Sequence, residues 1–251
     1  MKVIFHKRFY EVYTHDPAAA AGRMESIIRV LEGEFELIEP EPVSERDLER
    51  VHGRQHIQSV KGEPLVFEIG RLAAGGAVLA GEMALKGQPA FGLIRPPGHH
   101  ASPHSCWGFC YFNNIAISIK KLLHEGKIKR ALILDFDLHY GDGTANTFNG
   151  SKEVSYFHPE GPNREAFLKD LQQCLRTEKG YDIIALSAGF DRHEEDWGGL
   201  LKTEDYLSIG RWAKEFSLEH FKGRRFAVLE GGYNHSVLGR NVRSFLQGLR
   251  D

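Results

Sequence analysis

Residues 131–144, ALILDFDLHYGDGT, decide the fold. The first four, Ala131-Leu132-Ile133-Leu134, form an unbroken apolar run, the pattern of a strand covered on both faces. Asp135, Asp137 and His139 follow at alternate positions, and alternate side chains on an extended backbone share a face. Gly141 and Gly143 then let the chain turn, with Asp142 between them. Carboxylates and an imidazole at the mouth of a buried strand are costly without a cation or hydrogen-bond partners. Oxygen and nitrogen donors of this kind suit zinc or another borderline divalent metal. A polar strand end turned to water is the plainer alternative. It accounts for one aspartate more readily than for three donors in phase.

Outward from this strand, short apolar runs alternate with helical patterns. Residues 2–6, 35–38, 90–94, 153–157, 182–187 and 226–229 read as further strands. Met24, Ile27, Ile28 and Leu31 keep helical spacing up to Gly33, and residues 70–86 are rich in alanine and glycine, as suits a helix close against a sheet. Ser44 with Asp47 resembles a capping box for a helix over 44–52. Asn113 or Asn114, Asn163 and Thr203 are placed to cap three more, and a last helix follows EGGYNHS. Strands alternating with helices predict an α/β fold with a mainly parallel sheet and helices on both sides. Without repeats or linkers, residues 1–251 are expected to form one domain.

In open α/β sheets ligands bind beyond the carboxyl ends of the strands. Four strands carry their unusual residues there, at 95–100, 135–142, 191–193 and 230–234. Asp191 is a candidate third ligand beside Asp137 and His139, although alone it would serve as a helix cap. His99 and His100 are adjacent imidazoles in a loop stiffened by Pro96 and Pro97. Such a pair moves protons only if second groups fix its tautomers, and Asp135 and Asp142 are available for that. Tyr233 follows two glycines, so its hydroxyl is a candidate oxyanion donor, with simple packing as the alternative.

Composition narrows the classes. A net charge of −2 gives no basic footprint, so nucleic acid is not expected as an obligatory partner. No membrane-spanning stretch is expected, and MKVIFHKRFYEVY lacks a signal-peptide core, so a cytoplasmic protein is expected. The three cysteines, an odd count, argue against a disulfide framework.

Taken together, RPPGHHA (95–101), GFCYFNN (108–114), DFDLHYGDGT (135–144), SAGFD (187–191) and EGGYN (230–234) resemble the zinc-dependent histone deacetylase family. That family includes acetylpolyamine amidohydrolases and bacterial class II-like deacetylases. The resemblance implies an arginase-like α/β/α fold with about eight strands. It implies one Zn²⁺ held by Asp137, His139 and Asp191, with His99 paired to Asp135, His100 to Asp142, and Tyr233 facing the substrate carbonyl. Phe109 and Gly108 would line an acyl-lysine tunnel, with Gly232 near the metal and Arg23 by an internal product channel. The implied substrates are acylated lysine or a small acylated amine such as a polyamine, and homo-oligomers are compatible with it.

Three departures stand out. Only HPEGPN follows the strand at 153–157, where the family usually has a long loop and a second tunnel aromatic. His158 falls where a serine beside a structural K⁺ is usual, which puts that ion in doubt. Trp197 replaces a smaller rim residue and is placed to refill the missing wall. The rivals to hydrolysis of an acyl amide are a binding module that keeps the metal pocket and hydrolysis of another C–N bond such as a guanidine, which calls for a two-metal, more carboxylate-rich cluster.

Overall fold

Seven parallel strands make one sheet in the computed structural model, which describes residues 1–250. They are β1 (Lys2–Ile4), β2 (Glu36–Ile38), β3 (Ala90–Gly92), β4 (Ala131–Asp135), β5 (Val154–Phe157), β6 (Ile183–Ala188) and β7 (Arg225–Leu229). Their order is β2-β1-β3-β7-β6-β4-β5, and every pairing is parallel. The central strands β3, β7, β6 and β4 are buried along their whole length, in keeping with their mostly apolar runs. The resemblance implied about eight strands, and the described residues form seven. Beside the edge strand β5 the chain has only residues 158–163 before the next helix, too few for a further strand.

The helices are α1 (Arg23–Leu31), α2 (Glu45–Leu48), α3 (Arg54–Lys61), α4 (Pro64–Leu85), α5 (Asn114–His124), α6 (Asp142–Phe148), α7 (Arg164–Thr177), α8 (Thr203–Phe221) and α9 (His235–Leu249). α4 packs with α5, and α1 and α8 pack with α9. Neighbouring strands show the two layers. Phe226 of β7 approaches Gly81 of α4, while Phe91 of β3 meets Phe245 of α9 with ring centroids 6.2 Å apart.

Local signals mostly became local structure. Asn113 accepts the Ala116 N–H at 3.1 Å and Asn163 the Ala166 N–H at 3.0 Å, capping α5 and α7. Thr203 does not cap α8. It is the first helical residue, and its hydroxyl donates to Asn241 of α9, while Asp205 reaches back to the Lys202 N–H at 2.8 Å. The helix expected over 44–52 stops at Leu48, and α3 starts afresh at Arg54. Contrary to expectation, one segment does reach membrane-spanning length and apolarity. It is α4, whose apolar residues are mostly buried against the sheet and α5.

Strand order positions the site. The four strands with unusual carboxyl ends, β3, β7, β6 and β4, are consecutive neighbours, so their loops share the middle of one rim.

Candidate active site

Asp137 and His139 leave the end of β4, and Asp191 leaves the end of β6. Ligand atoms of the three lie within 4.8 Å of one another. His139 Nδ1 is 3.3 Å from Asp137 Oδ1 and 3.2 Å from Asp191 Oδ2. Backbone amides orient the carboxylates: Gly231 N–H donates to Asp137 Oδ2 at 2.8 Å, and Leu138 N–H donates to Asp191 Oδ1 at 3.0 Å. The other Asp191 oxygen, Oδ2, is buried with no hydrogen-bond partner. The chain lies tight against this point. A Cβ on Gly231 would sit 2.5 Å from Asp137 Oδ2 and 2.6 Å from Asp191 Oδ2, so no larger residue fits.

The electrostatics of the cluster call for a positive charge. Burial and the neighbouring Asp137 push the Asp191 carboxyl up to about 6. Burial alone would also raise Asp137, but His99, His139 and the Gly231 amide outweigh it and hold its carboxyl far below the usual range. The adjacent Asp137 and Asp191 carboxylates, against burial, drive His139 up to about 10. Two carboxylates, one imidazole and a buried acceptor lacking a donor fit one divalent cation of the borderline class.

Both expected histidine pairs form. His99 Nδ1 lies 3.0 Å from Asp135 Oδ2, and His100 Nδ1 lies 2.6 Å from Asp142 Oδ1. The two rings are 4.1 Å apart, and the His100 ring is 5.9 Å from that of His139. They differ in charge. Burial opposes the cation on His99, but Asp137 and Asp135 outweigh it and raise its pKa. On His100, burial and the neighbouring His99 win over Asp142, and the pKa falls below the usual value.

Tyr233 lies over this site, stacked on Trp197 with centroids 4.0 Å apart and edge-on to Phe109 at 5.9 Å. Burial and the carboxylates of Asp137 and Asp191 push its phenol well above the ordinary value, so it stays protonated. Phe109 holds a left-handed backbone, φ 66°, uncommon for a bulky residue and a local strain of the kind found at functional sites. Gly108 precedes it with φ 58°, and a Cβ there would meet His100 Cδ2 at 2.5 Å. Gly232 joins Gly231, which touches the ligands, to Tyr233 in the chain, and its carbonyl accepts from Arg23 Nε at 2.8 Å. Arg23 also donates to the Glu230 carbonyl at 2.6 Å and lies over the Tyr233 ring, so it clamps the EGGYN loop.

Several contributors went unread in the sequence. Trp107 lies against His100 at 4.0 Å and donates from Nε1 to Asp142 Oδ2 at 2.9 Å. The Tyr156 hydroxyl donates to Asp135 Oδ2 at 2.9 Å and accepts the Gly141 N–H. Asp196 Oδ2 accepts the N–H groups of Tyr233 and Asn234, both at 2.8 Å. Glu230, fully buried, accepts from Gly98 N–H, His99 N–H and the Ser187 hydroxyl. Glu230 also lies near His99 and Cys110 in a second group of potential ligands, but both its oxygens already accept hydrogen bonds. His158, which the sequence did single out, faces Arg192, with Nε2 2.9 Å from Nη2.

Comparison with known proteins gives the same reading. A family model described as "Histone deacetylase domain" matches residues 18–167 and 158–249. The chain belongs to the histone deacetylase family. Family relatives include a "Probable deacetylase" of Methanothermobacter thermautotrophicus, 31% identical over 98% of this chain and 90% of that protein. Another is a "Histone deacetylase-like amidohydrolase" of Pseudomonas aeruginosa, 26% identical over 93% of this chain and 79% of that one. The crystal structure of the HDA15 HD domain shares the family fold, with a TM-score of 0.84 at 22% identity over 99% of this chain and 88% of that chain.

Proposed function

We propose that this chain is a metal-dependent deacylase that hydrolyses the amide of an acylated amine, either an acyl-lysine side chain or a small acylated amine such as a polyamine. One observation carries the reading: a three-point ligand set, two anchored imidazoles and a protonated phenol converge on one rim. Asp137, His139 and Asp191 would hold one Zn²⁺, which when bound supplies a Lewis acid for the amide carbonyl and acidifies a neighbouring water.

The chain's own groups divide the proton work. Asp142 occupies His100 Nδ1, so Nε2 is the nitrogen left to accept a proton from the attacking water. Its lowered pKa keeps His100 neutral near pH 7, the form that accepts. Tyr233 donates its hydroxyl proton as a hydrogen bond to the developing oxyanion. As the C–N bond breaks, the departing amine takes a proton from the imidazole pair. Asp135 holds His99 Nδ1 throughout, fixing that ring against its neighbour.

The test uses zinc-loaded protein against acetyl-lysine peptides and acetylated polyamines, with and without a chelator. Turnover that disappears with chelation and returns with zinc supports the reading. Zinc bound but no turnover over a broad acyl panel refutes it. A second reading, a binding module with little activity, is favoured by the side-chain exposure of His139, 39%, beside the short residues 158–163. Tight hydroxamate binding without turnover would identify it.

A further inference from the structure

The structure places a fixed cation directly behind the ligand cluster. Arg192, next to Asp191 in the chain, turns its guanidinium under the loop that follows β4. Nε donates to the Asp137 carbonyl at 3.0 Å, and Nη2 donates to the Leu138 carbonyl at 3.2 Å. His158, from the segment after β5, lies 2.9 Å from the same Nη2, and the Phe167 ring of α7 covers the guanidinium at 4.5 Å. The residue is buried, which lowers its pKa, and the buried carboxylates of Asp137, Asp191 and Asp135 oppose that shift. Its own backbone is held too: the Leu200 and Leu201 amides both donate to the Arg192 carbonyl.

This arrangement is a poor fit for the potassium ion that His158 already put in doubt. A monovalent cation needs carbonyl lone pairs and hydroxyls converging on one point. Here the Asp137 and Leu138 carbonyls already accept from Arg192, and the imidazole standing in place of a serine faces the guanidinium. Asp135, the other buried acceptor nearby, takes its protons from Tyr156, His99 and the Asp137 amide. The donor set fits a guanidinium and does not fit K⁺.

We infer that Arg192 serves as a built-in substitute for a monovalent cation, a positioning residue that draws the Asp137–Leu138 carbonyls together and so presets Asp137 and His139 for the metal. The inference rests on the proposed metal site. Its consequence is an enzyme whose metal affinity and stability do not depend on K⁺.

The experiment compares wild type, Arg192→Lys and Arg192→Ala in KCl and in choline chloride at equal ionic strength. Three quantities are read: Tm of the metal-free protein, zinc affinity by competition with a chromogenic chelator, and turnover. Wild type is expected to show the same Tm and zinc affinity in both salts. Arg192→Ala in choline is expected to lose about 10–100-fold in zinc affinity, the usual cost of removing a group that supports a ligand. Saturable recovery with K⁺ is expected, and Arg192→Lys should fall between the two. The inference is overturned if wild type needs K⁺ for its Tm or zinc affinity, or if Arg192→Ala binds zinc in choline as tightly as wild type. Loss that K⁺ leaves unrepaired would also overturn it. Should Arg192→Ala not fold, the wild-type salt comparison and Arg192→Lys still decide. Wild type that binds zinc without turnover would instead count against deacylation and leave Arg192's role standing on the Tm and affinity data.

Discussion

Trp107 offers the sharpest test, because two substitutions separate its two contacts. Its indole lies 4.0 Å from the His100 ring, and its N–H donates to Asp142, which itself holds His100. Trp107→Phe keeps a ring over His100 and deletes only the hydrogen bond. A buried charge-assisted bond is worth about 1.5–3 kcal/mol. Trp107 is 56% exposed and the Asp142 side chain 36%, so solvent screening reduces this one to about 1 kcal/mol. That corresponds to a loss of about fivefold in kcat. Trp107→Ala also removes the cover that keeps His100 desolvated. Burial is the chief cause of the lowered His100 pKa, so uncovering the ring must raise it toward the ordinary value of about 6.5. A general base works only when neutral, and activity therefore falls as pH drops through its pKa. The acid limb of the kcat profile should lie below about pH 6.5 in wild type and in Trp107→Phe, and should move upward in Trp107→Ala. Full pH–rate profiles of all three proteins measure this. An unmoved limb in Trp107→Ala, or equal damage from both substitutions, would refute the reasoning.

Three further outcomes follow from contacts already described. Tyr233→Phe should reduce kcat by about 10²–10³, the cost of losing one oxyanion donor, with zinc content unchanged by elemental analysis. Gly231→Ala should weaken zinc binding at least about tenfold, because its methyl would intrude on Asp137 and Asp191, and circular dichroism should show the fold intact. Asp196→Asn removes the charge that holds the Tyr233 and Asn234 amides, and steady-state kinetics should show a larger fall in kcat than rise in KM.

What the sequence showed depended on how local the cause was. Alternation marked Asp135, Asp137 and His139 as a group, but β4 ends at Asp135, and the bends that follow gather them instead, with the Asp137 and His139 amides each donating to the carboxylate two residues back. Parallel strands brought Asp191, the histidine pair and Tyr233 to the same rim because every strand ends there. Trp107 was hidden because its approach to His100 requires the left-handed turn at Gly108 and Phe109, which no periodicity announces. Tyr156 was hidden because its role depends on the pairing of β5 with β4, where Ile133 stands opposite it. Arg192 directly follows the SAGFD motif, yet spacing gives it no role, since a long side chain reaches carbonyls that sequence spacing does not specify. Thr203 shows the opposite failure: a good local capping residue was drawn away by a contact with α9.

The two margins of the sheet are not equivalent. β2, at one border, supplies none of the site contacts described above. β5 is the opposite border, yet Tyr156 on it anchors Asp135, and His158 just beyond it meets Arg192. Breathing along this half-buried strand would therefore slacken both supports at once.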